Sequence, residues 1–396
     1  MRLTFILLFV LSFLPTVGYS KSGSSDWQWH GFVAQGLIDV NHSNFVDNNS
    51  GLSPKLTELG INSSYNFLSN VRVAGQLVYL NGGRRYAEGV RLDYLLLDWG
   101  IFNDANWQVN MYLGRFKNNH WLYSNTRDIP FARPSIILPQ SIYYDGFRDI
   151  AMGGDGGALR INYSDDKLGE IDFNFSSGVS SINKKAKQVI LSEYATGDIK
   201  QSFDNQASLY WRPNFSAWRF GLSMLDSNFD YQRGAGADLF YDGVFAFQYY
   251  TMNAIYEGER WELSSEIHHQ HFKTSGFYQS SYVKTNIGQG AYVQARYKYN
   301  NDLTLLMRAE KFYLDRADKN GSKLNAASGG KIPRYFGFQN DLTVGFSYDI
   351  QDHLRVQFEQ HWVQGTGRLS PTVLPNPQIN NREYWQMWAV QLMYWF

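Results

Sequence analysis

The sequence predicts an all-β fold, a transmembrane antiparallel β-barrel of sixteen strands with a long, inward-folded third external loop. Three observations carry that prediction. Short segments alternate apolar and polar side chains from Trp27 to Phe396, and the connections between them alternate short and long. The last segment, Trp385 to Phe396, is itself a strand whose edge needs a partner, which barrel closure supplies.

In chain order, Arg2 precedes the apolar run Leu3 to Leu14, then Pro15 and a small-residue site at Gly18-Tyr19-Ser20. This is the pattern of a secretory signal peptide over 1–20, since the run is too short for a spanning helix. The remainder, 21–396, reads as one barrel domain because no Pro-rich or Gly/Ser linker divides it.

Period two places strands at 27–40, 56–66, 71–80, 89–99, 107–116, 157–165, 169–179, 205–212, 217–226, 242–256, 260–272, 290–299, 303–313, 341–350, 353–363 and 386–396. The even count is what a single-chain bacterial barrel requires. Tight turns such as Gly258-Glu259 and Gln351-Asp352 alternate with connections at 41–55, 117–156, 180–204, 227–241, 273–289, 314–340 and 364–385, with only Asn81 to Glu88 short among the latter. Short periplasmic turns and longer external loops put both termini on the periplasmic side. A soluble sandwich would not keep this two-sided alternation.

The strand faces agree. Leu303, Leu305, Met307 and Ala309 oppose Thr304, Arg308 and Glu310, and Leu354, Val356, Phe358 and Trp362 oppose Arg355, Gln357, Glu359 and His361. An arginine or lysine facing mid-bilayer costs on the order of 2–4 kcal/mol, so the charged faces look inward. The expected wall is therefore Arg72, Arg91, Asp93, Arg160, Asp172, Glu262, Glu266, Arg296, Lys298, Arg308, Glu310, Arg355 and Glu359. Sixteen strands enclose enough cross-section for water, and such charges stay cheap only when hydrated, as in a channel.

Composition narrows the class. The chain has 66 aromatic residues in 396 and no cysteine, which excludes disulfides, thiol chemistry and cysteine-ligated metal. Without the leader it carries 35 basic and 36 acidic residues, a balance with no general attraction for nucleic acid.

The longest connection, 117–156, holds Arg127, Asp128, Arg133, Asp145, Arg148, Asp149 and Asp155 among Pro130, Pro134 and Pro139 and a set of apolar residues. The prolines stiffen it and the apolar residues give it surface to dock, so it is expected to fold into the barrel and narrow the lumen.

Together the leader, the sixteen strands, the long third connection and terminal Phe396 resemble the Gram-negative outer-membrane porins over essentially the whole mature chain. The resemblance implies a passive channel in the cell outer membrane for ions and small hydrophilic solutes. It further implies a homotrimer, contact with outer-membrane lipid and lipopolysaccharide, and a terminal signature at Leu392, Tyr394 and Phe396 read by the barrel assembly machinery. The acidic loop motif and compact arginine cluster of the general porins are not matched. The segments Tyr112 to Asn118 and Thr126 to Pro134 look characteristic of a distinct branch, which leaves solute and ion preference open.

Enzyme chemistry finds little support. His268, His269 and His271 cannot share one strand face, so they make a poor three-histidine metal site. No Gly-x-Ser-x-Gly or His-Glu-x-x-His pattern occurs, Gly153 to Gly157 lacks the lysine of a phosphate loop, and no cofactor is implied. The competing readings are a non-conducting barrel acting as adhesin, receptor or scaffold and, behind it, an outer-membrane hydrolase.

Overall fold

A computed structural model describes residues 26–47, 51–86, 88–148, 153–182, 184–191, 194–236, 238–369 and 378–396. The expected signal peptide, 1–20, lies outside them.

The alternating segments form sixteen antiparallel strands in one closed sheet. They are β1 (Trp27–Asn41), β2 (Gly51–Leu68), β3 (Val71–Asn81), β4 (Gly89–Asn103), β5 (Trp107–Lys117), β6 (Gly153–Asp165), β7 (Gly169–Val179) and β8 (Asp198–Arg212). The second half comprises β9 (Trp218–Gln232), β10 (Gly243–Glu257), β11 (Trp261–Gly276), β12 (Val283–Lys298), β13 (Leu303–Tyr313), β14 (Phe338–Gln351), β15 (Leu354–Gly365) and β16 (Tyr384–Trp395). Each strand pairs with its sequence neighbours, and β1 pairs with β16 in the register Val33 to Tyr394 and Ile38 to Ala389. Gly31 and Phe396 exchange both backbone hydrogen bonds at 3.0 Å, so the last residue completes the closure.

All sixteen expected strands are present, and several run further toward the long-connection end than hydropathy indicated. β8 begins at Asp198 rather than 205, β9 reaches Gln232 rather than 226, and β12 begins at Val283 rather than 290. The expected connection over 273–289 shrinks to 277–282 between the ends of β11 and β12.

The reason is a reversal of the apolar face along the strands. Near the short turns of β9, Trp218, Phe220, Leu222 and Met224 point outward and are exposed. Beyond them Leu225, Phe229 and Tyr231 are buried on the inward face, while Asp226, Asn228 and Asp230 take the outward one. β10 reverses likewise, from inward Asn253 and Thr251 to inward Tyr249, Phe247 and Phe245. One half of the barrel therefore has an apolar exterior and a polar interior, and the other half has the arrangement of a water-soluble barrel. A strand that changes phase loses the simple alternation by which sequence finds it.

Two close approaches need glycine. Gly169 opens β7 at φ +82°, where a Cβ would lie 2.1 Å from the Arg212 carbonyl oxygen. Gly60 on β2 lies beneath the Phe32 ring, 2.2 Å from where its Cβ would be.

Short helices α1 (Lys184–Leu191) and α2 (Ser322–Ala327) occupy two of the long connections.

Candidate functional site

Inward-facing charges occur at two levels. Near the short turns they are partly exposed and paired along the wall. Arg72 donates to Asp98 at 2.8 Å, Arg296 to Glu262 at 2.7 Å, and Arg355 to Asp349 at 2.5 Å. Arg160 lies over the Tyr112 ring at 4.4 Å and Lys298 is exposed at the end of β12, whereas Arg91, over the Tyr86 ring at 6.0 Å, lies at the long-connection end of β4.

Nearer the long connections the inward charges are buried and engaged by the connection residues 118–148. These residues hydrogen-bond to inward side chains on β2, β7, β8, β10, β11, β13 and β15. Four glutamates supply acceptors. Glu58 takes two bonds from the Arg133 guanidinium, at 3.2 and 2.9 Å. Glu266 accepts the Leu122 N–H at 3.0 Å and the Tyr143 hydroxyl, Glu310 the Ser141 N–H at 2.7 Å, and Glu359 the N–H groups of Ile136 and Ile137. Arg308 works in the opposite sense, donating to Ser135 Oγ and the Ile137 carbonyl, both at 3.0 Å.

Apolar contact adds to these bonds. Ile136 and Ile137 pack with Ile38, Leu56 and Trp385, while Trp121, Ile142 and Tyr143 pack with Phe229, Phe247 and Tyr249. Each fully buried isoleucine contributes about 1.5–3 kcal/mol. The inward apolar surface created by the phase reversal is what these residues cover.

The charged residues of the connection pair among themselves or with nearby side chains. Arg127 donates to Asp145 at 2.6 Å, and Arg85 approaches the same carboxylate at 3.6 Å. Arg148 pairs with Asp128, which Lys117 also meets at 3.1 Å while reaching Asp93 at 2.8 Å. Burial drives the Asp128 carboxyl upward, but Arg148 and Lys117 outweigh it and hold it well below the usual carboxylate range. Asp145 is also lowered, burial being outweighed by Arg85 and Arg127. Burial and the charge of Arg127 push His120 down to about 3.

Two expected loop residues do not join this group. Asp155 lies within β6, half exposed, and pairs with Arg115 at 2.7 Å on the face that carries Leu113. The strand starts four residues earlier than expected because Gly153 and Gly154 already pair with β5. Asp149 lies outside the described residues. Conversely, Glu58 and Asp98 belong with the wall charges although the sequence reading passed over them. Glu58 keeps the parity of Leu56 on the inward face, and Asp98 that of Leu96 on β4. For Asp98, set between Leu97 and Trp99 in a strand, the apolar flanks were the available signal.

Two buried inward amides have no partner among the described residues. Among the described residues the side-chain oxygen and nitrogen of Gln357 and Gln391 make no hydrogen bond, and the two residues sit opposite each other on β15 and β16. Burying an amide unsatisfied costs several kcal/mol, so such groups imply water or a polar solute beside them. The outward histidines His269 and His271 place their Nε2 atoms 3.1 Å apart, whereas His268 is buried on the inward face. Among the described residues no group of three or more His, Asp or Glu side chains is arranged to hold a metal ion.

No protein-family model matches the chain, and no curated protein matches its sequence. Solved structures do match. The outer membrane channel DcaP of Acinetobacter baumannii is 12% identical, with 96% of this chain and 99% of that one covered and a TM-score of 0.56. The anion-selective porin from Comamonas acidovorans is 11% identical over 93% and 99% of the two chains, with a TM-score of 0.56. OmpT of Vibrio cholerae is 10% identical over 95% and 99%, with a TM-score of 0.54. The chain thus has the closed β-barrel fold of the Gram-negative outer-membrane porins and channels.

Proposed function

We propose that this protein is an outer-membrane porin, exported by the leader 1–20, whose single barrel passes ions and small hydrophilic solutes by diffusion. The observation that carries the reading is the pairing of an exposed apolar outer band with a polar inner wall in the half nearest the short turns. Leu222, Met252, Ile267, Val293 and Met307 are outward residues on β9 to β13, and Arg72, Asn162, Asp172 and Glu262 are inward residues on β3, β6, β7 and β11. A soluble protein would gain nothing from that inversion, whereas a bilayer requires it. No covalent step is involved and no cofactor enters.

In this reading the connection after β5, described over 118–148, folds into the lumen and sets the size limit. Support comes from its bonds to seven strands and from the burial of Arg127, Arg133, Arg148, Asp128 and Asp145. Because these charges neutralise one another, they hold the segment in place more than they filter ions. The long-connection end faces outward from the cell. Lipid and lipopolysaccharide surround the apolar band, a trimer is the expected assembly, and Leu392 and Tyr394 on the outward face of β16, with Phe396 directly after it, are the assembly signature.

A second reading, a plugged barrel serving as a scaffold or receptor, draws on how deeply that segment is buried. Proteoliposome swelling separates the two. Vesicles holding the folded protein should swell in isotonic small sugars but not in large oligosaccharides. Absence of swelling with verified folded barrel would leave the scaffold reading.

A further inference from the structure

Fifteen of the sixteen strands carry at least one buried inward side chain, from Ile38 on β1 and Glu58 on β2 round to Glu359 on β15 and Gln391 on β16. β6 is the exception: none of its side chains is buried. Its inward positions beside the segment are Gly156, exposed, and Ala158, half-buried, followed by Arg160. The bare wall is built in, because a Cβ at Gly156 would lie 2.2 Å from the carbonyl oxygen of Ser177 on the adjacent strand.

Two crevices flank this strip. One, of about 200 Å³, opens beside Arg91, Asp93, Asp128, Arg148 and Gly154 at the long-connection end. The other, a slit of about 10 Å³, lies between Asn118 to His120 and the wall residues Ala158, Arg160, Asn174 and Gln206. Lys117 lines both.

We infer that the solute path is eccentric, running down the β6 side past Gly156 and Ala158, and that Arg160 at its narrowest part makes it favour small anions. This rests on the passage reading above. The slit is lined by two cations, Lys117 and Arg160, and by no carboxylate. Lys117 is compensated by Asp93 and Asp128, whereas Arg160 forms no ion pair among the described residues; it meets the Tyr112 ring and, at 3.5 Å, the Lys117 carbonyl oxygen. Asp204 lies behind the slit, bonded to Asn118 and Gln206, and Asp172 and Glu170 lie toward the short turn, each bonded to Asn162. A cation unpaired at a constriction acts on the passing ion with little screening, while carboxylates in the wider vestibule are diluted by water.

The chain has no cysteine, so single cysteines report access cleanly. Ala158→Cys and Ala389→Cys, the latter inward and fully buried on β16, would each be treated in a planar bilayer with the anionic reagent sulfonatoethyl methanethiosulfonate. The expected result is a current loss of at least about half for Ala158→Cys and none for Ala389→Cys, since only the first lies on the path. Arg160→Gln should move the reversal potential in asymmetric potassium chloride toward cations, and Arg160→Glu further. A conducting wild type whose Ala158→Cys variant is insensitive, or whose selectivity ignores Arg160, overturns the inference while leaving passage intact. A silent wild type overturns passage and the inference with it.

Discussion

Replacing Arg133 by Met tests whether segment 118–148 is held by buried ion pairs. Arg133 is 4% exposed and Glu58 1%, and the guanidinium makes two bonds to that carboxylate and a third to the Arg127 carbonyl oxygen at 3.1 Å. Met fills much of the same volume but leaves Glu58 as an uncompensated buried charge. Breaking such a pair from one side costs about 3–5 kcal/mol, which lowers the ratio of docked to released segment by two to four powers of ten. The barrel itself should survive, because the backbone pairing of Glu58 with Leu80 and Ala34 is untouched. Limited trypsin digestion of the folded protein in detergent reads the release at Arg127 and Arg148, with heat-modifiable migration confirming an intact barrel. Glu58→Leu combined with Arg133→Met removes the orphaned charge and should recover most of the protection. An Arg133→Met protein as resistant as wild type, or a double variant as sensitive as the single one, would refute the reasoning.

Other outcomes follow from the same geometry. Deleting Phe396 removes both backbone bonds to Gly31 and the ring contact with Trp29 at 5.6 Å, so the yield of assembled heat-modifiable barrel should fall sharply; wild-type yield would contradict this. Val293→Arg puts a cation on the outward face of β12, where Val293 is 60% exposed, and should destabilise the barrel by about 2–4 kcal/mol in urea titration. Docking should weaken in acid, beginning with His120: its docked value near 3 lies below the 6.5 of the free ring, so the released form takes up a proton first and protection is lost as pH falls from 6.5. Asp128 and Asp145, both held below 3.8, contribute docking stability that is present above that value and lost as pH falls through their docked values. Hydrogen exchange across 118–148 at neutral pH and near pH 4 measures the trend, and equal protection at both would count against it.

Strand existence was legible wherever the outward face is uniformly apolar. The runs in β13 and β15 alternate cleanly because Leu305 and Met307, or Phe358 and Trp362, face outward against Arg308, Glu310, Glu359 and His361. The extended ends of β8, β9 and β12 were hidden because their apolar residues move to the inward face and their outward residues become polar. The same reversal hid the bed on which Ile136, Ile142 and Tyr143 lie. The charges of 117–156 were visible in number but not in pairing, since Arg133 meets Glu58 across 75 residues of sequence and Ser141 meets Glu310 across 169. The bare strip on β6 was visible as glycines, yet only the strand register shows Gly156 inward and Asp155 outward.

The most direct test of the account is single-channel recording from the purified, folded wild-type protein in a planar bilayer. The account predicts reproducible open events whose conductance rises with salt and whose reversal potential in asymmetric potassium chloride has the anionic sign. A verified folded barrel that stays silent would contradict the claim that this protein is a passage and leave it a closed scaffold in the membrane.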